Sequence, residues 1–130
     1  MKILIADDNN IVRRWLVTTL AELEGIEIAG EAADASSAVA AVRRLKPDAV
    51  ILDYHMPGAT RTDVLKEIKA IQPSIVVIMF TDYPYPEVRA KCIQDGADFV
   101  FDKSTAHVEM LGIVAEVRRR FFAAGPQAAA

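Results

Sequence analysis

The sequence predicts a doubly wound α/β fold, a (βα)5 unit whose five-stranded parallel sheet runs in the order 2-1-3-4-5. Short apolar runs alternate along the chain with stretches of helical period. The runs Val50-Ile51-Leu52 and Ile75-Val76-Val77-Ile78-Met79-Phe80 are apolar at both parities, so both faces of those strands are covered. Parallel neighbours need helical crossovers with right-handed connections, which places one sheet between two helical layers. A chain of 130 residues is enough for one such domain with a real core.

The elements follow in order. A first strand over Lys2 to Ala6 leads to a helix with Val12, Leu16, Leu20 and Leu23 on one stripe, stopped at Gly25. A second strand over Ile26 to Glu31 precedes a helix carrying Ala38, Val42 and Leu45, closed by Pro47. Ala49 to Leu52 is the third strand, and Val64, Ile68 and Ile71 mark the third helix, which ends before Pro73. The fourth strand covers Ile75 to Phe80, and the fourth helix, Tyr85 to Asp95, has a thin apolar face with Cys92 toward the core. The fifth strand is Phe99 to Phe101, followed by a helix with Met110, Val114, Val117 and Phe121 at helical spacing. The domain is expected over residues 1–122, with the Ala-rich stretch 123–130 as a flexible tail or linker stub.

Composition excludes several classes of function. An apolar share of 52% with 25% charged residues is that of a soluble globular protein. The net charge of -3 offers no basic footprint for direct nucleic-acid binding. No apolar run approaches the roughly 18 residues of a membrane span. The start MKILIADD lacks a signal peptide's apolar stretch, and the single Cys92 excludes an internal disulfide, so a reducing cytoplasm is the expected location.

Function enters with the polar residues that follow the strands, because open α/β sheets bind ligands beyond the carboxyl ends of their strands, where strand order reverses. Asp7 and Asp8 follow the first strand, Asp53 the third, Thr81 the fourth and Lys103 the fifth; the second delivers nothing comparable. Adjacent carboxylates repel, so they are solvated, share a proton or hold a cation. Three carboxylates in one cleft make a hard oxygen site suited to Mg2+, which also neutralises an arriving phosphoryl group. Asp53 is then a candidate nucleophile, with Lys103 and Thr81 placed to contact phosphoryl oxygens.

The acidic pair in ILIADDN, the aspartate in AVILDYHMPG, the threonine in VVIMFTD and the lysine in GADFVFDKS together resemble the receiver domains of bacterial two-component response regulators, of the single-domain chemotaxis (CheY-like) type. The resemblance covers nearly all of residues 2–122 and implies the flavodoxin-like form of the predicted sheet. It implies that Asp53 is the phosphoacceptor and that Asp8 and Asp53 bind Mg2+ directly. It further implies that Asp7 acts through a metal-bound water and that the His55 carbonyl completes the ligands. Thr81 and Lys103 would bind phosphoryl oxygens, and movement of Thr81 would report phosphorylation.

By the same resemblance the donor is a histidine kinase or a histidine phosphotransfer protein, and the domain catalyses both its own phosphorylation and a slow dephosphorylation by water. A downstream protein would bind the face made by the fourth helix, fifth strand and fifth helix, with room for a phosphorylation-linked homodimer. Five positions depart from the family pattern: Ser104 where a Pro often follows the lysine, Val100 where a switching aromatic is usual, Asp82 where a small residue follows the threonine, and Thr60-Arg61 in place of Asp-Gly. Asp82 and Val100 suggest the alternative of a receiver-shaped interaction module independent of phosphorylation. A nucleotide- or flavin-binding role is disfavoured, since ADDNN has no glycine to let the backbone cradle phosphate. Tyr83 and Tyr85 in TDYPYPEVRAKC are candidate interface anchors beside that face.

Overall fold

The structure is a computed structural model and describes residues 1–58, 63–82, 85–104, 112, 114, 115 and 117–119. Its elements are β1 (Lys2–Ala6), α1 (Asn10–Ala21), β2 (Glu27–Ala32), α2 (Ala35–Leu45), β3 (Ala49–Asp53), α3 (Asp63–Ile71), β4 (Val76–Thr81), α4 (Pro86–Gln94) and β5 (Phe99–Asp102). The described residues from 112 onward are helical. Met110, Phe121, Thr60, Arg61, Tyr83 and the expected tail 123–130 lie outside the described residues.

All pairings are parallel, as the alternating pattern predicts, and the order is the expected β2-β1-β3-β4-β5. Each central strand divides its side chains between two cores. Leu4, Val50, Leu52, Val77 and Met79 face one way, against Val42 of α2, Leu65 and Ile68 of α3 and Cys92 of α4. Ile3, Ile5, Ile51, Ile78 and Phe80 face the other way, against Leu16 and Leu20 of α1 and the helical Val114 and Val117. Helices on both faces are what the runs apolar at both parities require.

Two strand starts differ from expectation by one residue. Ile26 and Ile75 are in turns, their N–H groups donating to the carbonyls of Leu23 and Gln72; burial of Ile75 alone reads as strand, but its hydrogen bond belongs to the α3 exit. At the other end β3 includes Asp53 and β4 includes Thr81, because the ladder continues through Asp53↔Phe80 and Thr81↔Asp102. Asp53 and Thr81 are therefore the last members of their strands, whereas Asp7, Asp8 and Lys103 lie just beyond theirs.

Helix ends explain the polar residues between the elements. Asn9 caps α1, its side-chain oxygen accepting from Ile11 N–H at 2.9 Å and Val12 N–H at 3.1 Å. Asn9→Ala is expected to lower stability by about 1 kcal/mol, seen as a lower urea midpoint at unchanged slope. An unchanged midpoint would show that another group caps the helix. Asp34 caps α2 through Ser37 N–H at 2.8 Å, and Lys46 closes it in the left-handed region at φ 47°, just before Pro47. Pro86 opens α4, with Tyr85 as its exposed cap residue.

Candidate functional site

The carboxyl edge of the sheet gathers the polar residues the strand pattern predicts. Asp7 is 1% exposed and Asp53 3%, with Thr81 fully buried, in a protein whose other buried groups are overwhelmingly apolar. Asp8 is exposed beside them. Carboxylate oxygens of Asp7, Asp8 and Asp53 all lie within 4.8 Å of one another. Lys103 Nζ enters this cluster, 3.0 Å from Asp53 Oδ1 and 3.2 Å from Asp7 Oδ2.

Each buried acid is held by main-chain donors. Asp7 Oδ1 accepts from Asn9 N–H at 2.8 Å, and Asp7 N–H donates to the Ala32 carbonyl at 3.0 Å. Asp53 Oδ1 accepts from His55 N–H at 3.1 Å. Lys103 is fixed in turn, since its N–H donates to the Thr81 carbonyl at 2.8 Å. Asp53 Oδ2 is buried and accepts no hydrogen bond among the described residues. Such an oxygen is costly unless something pairs with it.

Electrostatics follow from this geometry. Burial, then the neighbouring charge of Asp7, push the Asp53 carboxyl up to about 7, against the opposing pull of His55 N–H and Lys103. Burial disfavours the charged form of Lys103, but Asp53 and Asp7 more than offset this and leave its ammonium above the ordinary lysine value. The cluster thus holds three carboxylates against one ammonium. A hard cation fits it on two grounds: the donor set is all oxygen, and Asp53 Oδ2 has unused acceptor capacity.

The structure brings together Asp7, Asp8, Asp53 and Lys103, with Thr81 at the adjoining strand end and the His55 main chain against Asp53. Asp82 is exposed and is not one of the three clustered carboxylates. Val100 is buried at 6%, and its carbonyl accepts from Arg89 Nη1 of α4 at 2.9 Å. Cys92 is a buried core residue, and burial above all pushes its thiol up, in keeping with inert packing. Among the described residues no helix is long and apolar enough to cross a membrane.

Sequence reasoning missed the supports from α1 and β2. Arg13 Nη1 donates to the Asp7 carbonyl at 2.7 Å, and its Nε pairs with Glu31 at 3.1 Å. The second strand, read as delivering nothing, supplies both Glu31 and the Ala32 carbonyl. The one available signal was the arginine spaced six residues beyond Asp7, which has no meaning until β2 is placed beside β1.

Comparison with known proteins agrees with this geometry. Residues 3–115 match the response regulator receiver domain family. The chain is 30% identical over 120 residues to the response regulator GacA of Pseudomonas aeruginosa, covering 90% of this chain and 55% of that protein. It is 36% identical over 113 residues to the uncharacterized transcriptional regulatory protein YhcZ of Bacillus subtilis, covering 85% of this chain and 52% of that one. The chain thus spans about half the length of both relatives. A chain in the crystal structure of the CheX-CheY-BeF3-Mg2+ complex from Borrelia burgdorferi superposes with a TM-score of 0.83 at 26% identity, covering 90% of this chain and 88% of that one. With the family matched over most of its length and the sheet order and acidic edge in place, the chain belongs to the response regulator receiver domains.

Proposed function

We propose that the protein is a phosphorylation-dependent signalling switch that accepts a phosphoryl group on Asp53. The observation that carries this reading is the state of Asp53: a buried carboxylate on a rigid strand end, with Lys103 at 3.0 Å from one oxygen and no hydrogen bond to the other. Its carboxylate attacks phosphorus as the bond to a phosphohistidine nitrogen breaks, leaving an acyl phosphate on the chain. Lys103 follows the negative charge from the carboxylate to the phosphoryl oxygens, and the buried Thr81 hydroxyl takes another of them. Mg2+ held by Asp8 and Asp53, beside Asp7 and the His55 carbonyl, would neutralise charge on the incoming group.

The donor in this reading is a histidine kinase or a histidine phosphotransfer protein in the cytoplasm, and phosphorylation alters the face of α4, β5 and the C-terminal helical residues. Tyr85 at the cap of α4 and Ile93 near its end stand exposed and suit a protein partner. Homodimerisation through that face on phosphorylation belongs to the same reading. Support comes from the family match and from the named Mg2+ and BeF3 in the Borrelia complex.

Acetyl phosphate with Mg2+ tests the proposal by intact mass. The wild type is expected to gain one phosphoryl group, and Asp53→Ala, or the wild type in EDTA, none. No gain on the wild type, or an equal gain on Asp53→Ala, would sink it and favour the phosphorylation-independent interaction module.

A further inference from the structure

We propose that Arg13 is the positioning residue of the acidic cluster, setting the direction of Asp8 through the peptide bond that joins it to Asp7; this rests on the reading that the cluster binds Mg2+. The side chain is held at three points. Nη1 donates to the Asp7 carbonyl at 2.7 Å, Nη2 to Asn10 Oδ1 at 2.5 Å, and Nε to Glu31 Oε1 at 3.1 Å. It is only 17% exposed. A guanidinium is planar, so three anchors fix its orientation as well as its position.

The consequence for Asp8 follows from covalent geometry. A peptide unit is planar, and the Asp7 carbonyl and the Asp8 nitrogen belong to one plane. Arg13 holds that carbonyl while Asp7 N–H is held by Ala32 at 3.0 Å, so the chain is pinned on both sides of Asp7. Asp7 is also fixed by its buried side chain, whereas Asp8 is exposed and depends on its main chain for direction. A cation beside a cation site is itself repulsive. Glu31 offsets that charge, leaving Arg13 to act through geometry.

This makes the sign of the effect diagnostic. If Arg13 acted only through its charge, removing it would tighten Mg2+ binding; if it only stapled α1 to β2, removal would lower the melting temperature in EDTA and leave the Mg2+ Kd unchanged. A positioning role predicts weaker binding, by roughly 10-fold, as for other groups that orient metal ligands.

Calorimetric titration of the full chain with Mg2+ provides the measurement, with melting temperature in EDTA recorded alongside. Arg13→Gln is expected to raise the Kd by roughly 10-fold, and Arg13→Lys, which keeps one donor for the Asp7 carbonyl, by less. If Arg13→Gln does not fold, Arg13→Lys carries the test, and a wild-type Kd there overturns the inference. Folded variants that bind Mg2+ as tightly as wild type, or more tightly, overturn it while leaving the metal reading intact. Absence of Mg2+ binding by the wild type overturns that reading and the inference with it.

Discussion

Asp53→Asn is expected to stabilise the protein at pH 8 in EDTA by on the order of 1–2 kcal/mol, while abolishing its labelling by acetyl phosphate. An unfolded aspartate titrates near 3.8, whereas burial and Asp7 push the folded group up to about 7. Between those values the native state holds a proton that the unfolded state has lost, so stability falls as pH rises through the window. Above pH 7 both states are ionised and the native state bears the full cost. Relaxation of the surrounding dipoles and charges around the ionised group brings the gain below what the shift alone implies. Asn keeps an oxygen for His55 N–H and leaves Asp7 as the partner of Lys103. Near pH 4 the difference from wild type should vanish. Saturating Mg2+ should reverse the order, because a ligand at 100 times its Kd adds about 2.7 kcal/mol to a native state that binds it. Urea denaturation at both pH values, with and without Mg2+, checks this; a variant less stable than wild type at pH 8 in EDTA would contradict it.

The same residues show what a sequence discloses and what it withholds. Strands were legible because Val50, Ile51 and Leu52 are apolar at successive positions, and all three are buried; the crossovers such strands need make the sheet parallel but do not by themselves set its order. Asp7, Asp8, Asp53, Thr81 and Lys103 were legible because each lies at or just beyond the end of its strand, so finding the strand places the residue. The Asn9 cap, which accepts from N–H groups two and three residues on, is a local signal that sequence reasoning passed over, whereas Arg13 and Glu31 were not legible. Their meaning lies in contacts such as Arg13 to Glu31, 18 residues apart, which no local period encodes. The start of β4 was misplaced by one residue for a related reason: hydrophobicity reports that Ile75 is buried, not which carbonyl its N–H reaches. Val100 is buried and its carbonyl holds Arg89 of α4, a link likewise invisible in the sequence.

Lys103→Met is expected to have the opposite effect to Asp53→Asn, destabilising the protein by about 3 kcal/mol at pH 8 in EDTA. Methionine nearly fills the lysine's volume, so the loss reports charge rather than a cavity. Without the ammonium, Asp53 and Asp7 face each other buried and uncompensated. The folded pKa of Lys103 lies above 10.5. Its stabilisation is therefore fully present below that pH and lost only as pH rises through the higher folded value, so the wild-type lysine stays charged throughout pH 5 to 8. Any pH dependence of the loss in that range belongs to the carboxylates. Toward pH 5 Asp53 can take up a proton and relieve the repulsion, so the loss should shrink. Combining the variant with Asp53→Asn removes one of the two opposed charges, and the pair should be clearly non-additive, with the double variant recovering much of the stability. A loss that is the same at pH 5 and pH 8, and additive with Asp53→Asn, would mean that Lys103 serves packing alone. The coupling, if found, identifies the lysine as the counter-charge that lets a carboxylate be buried where the proposed chemistry needs it, and a phosphoryl group on Asp53 would inherit that counter-charge.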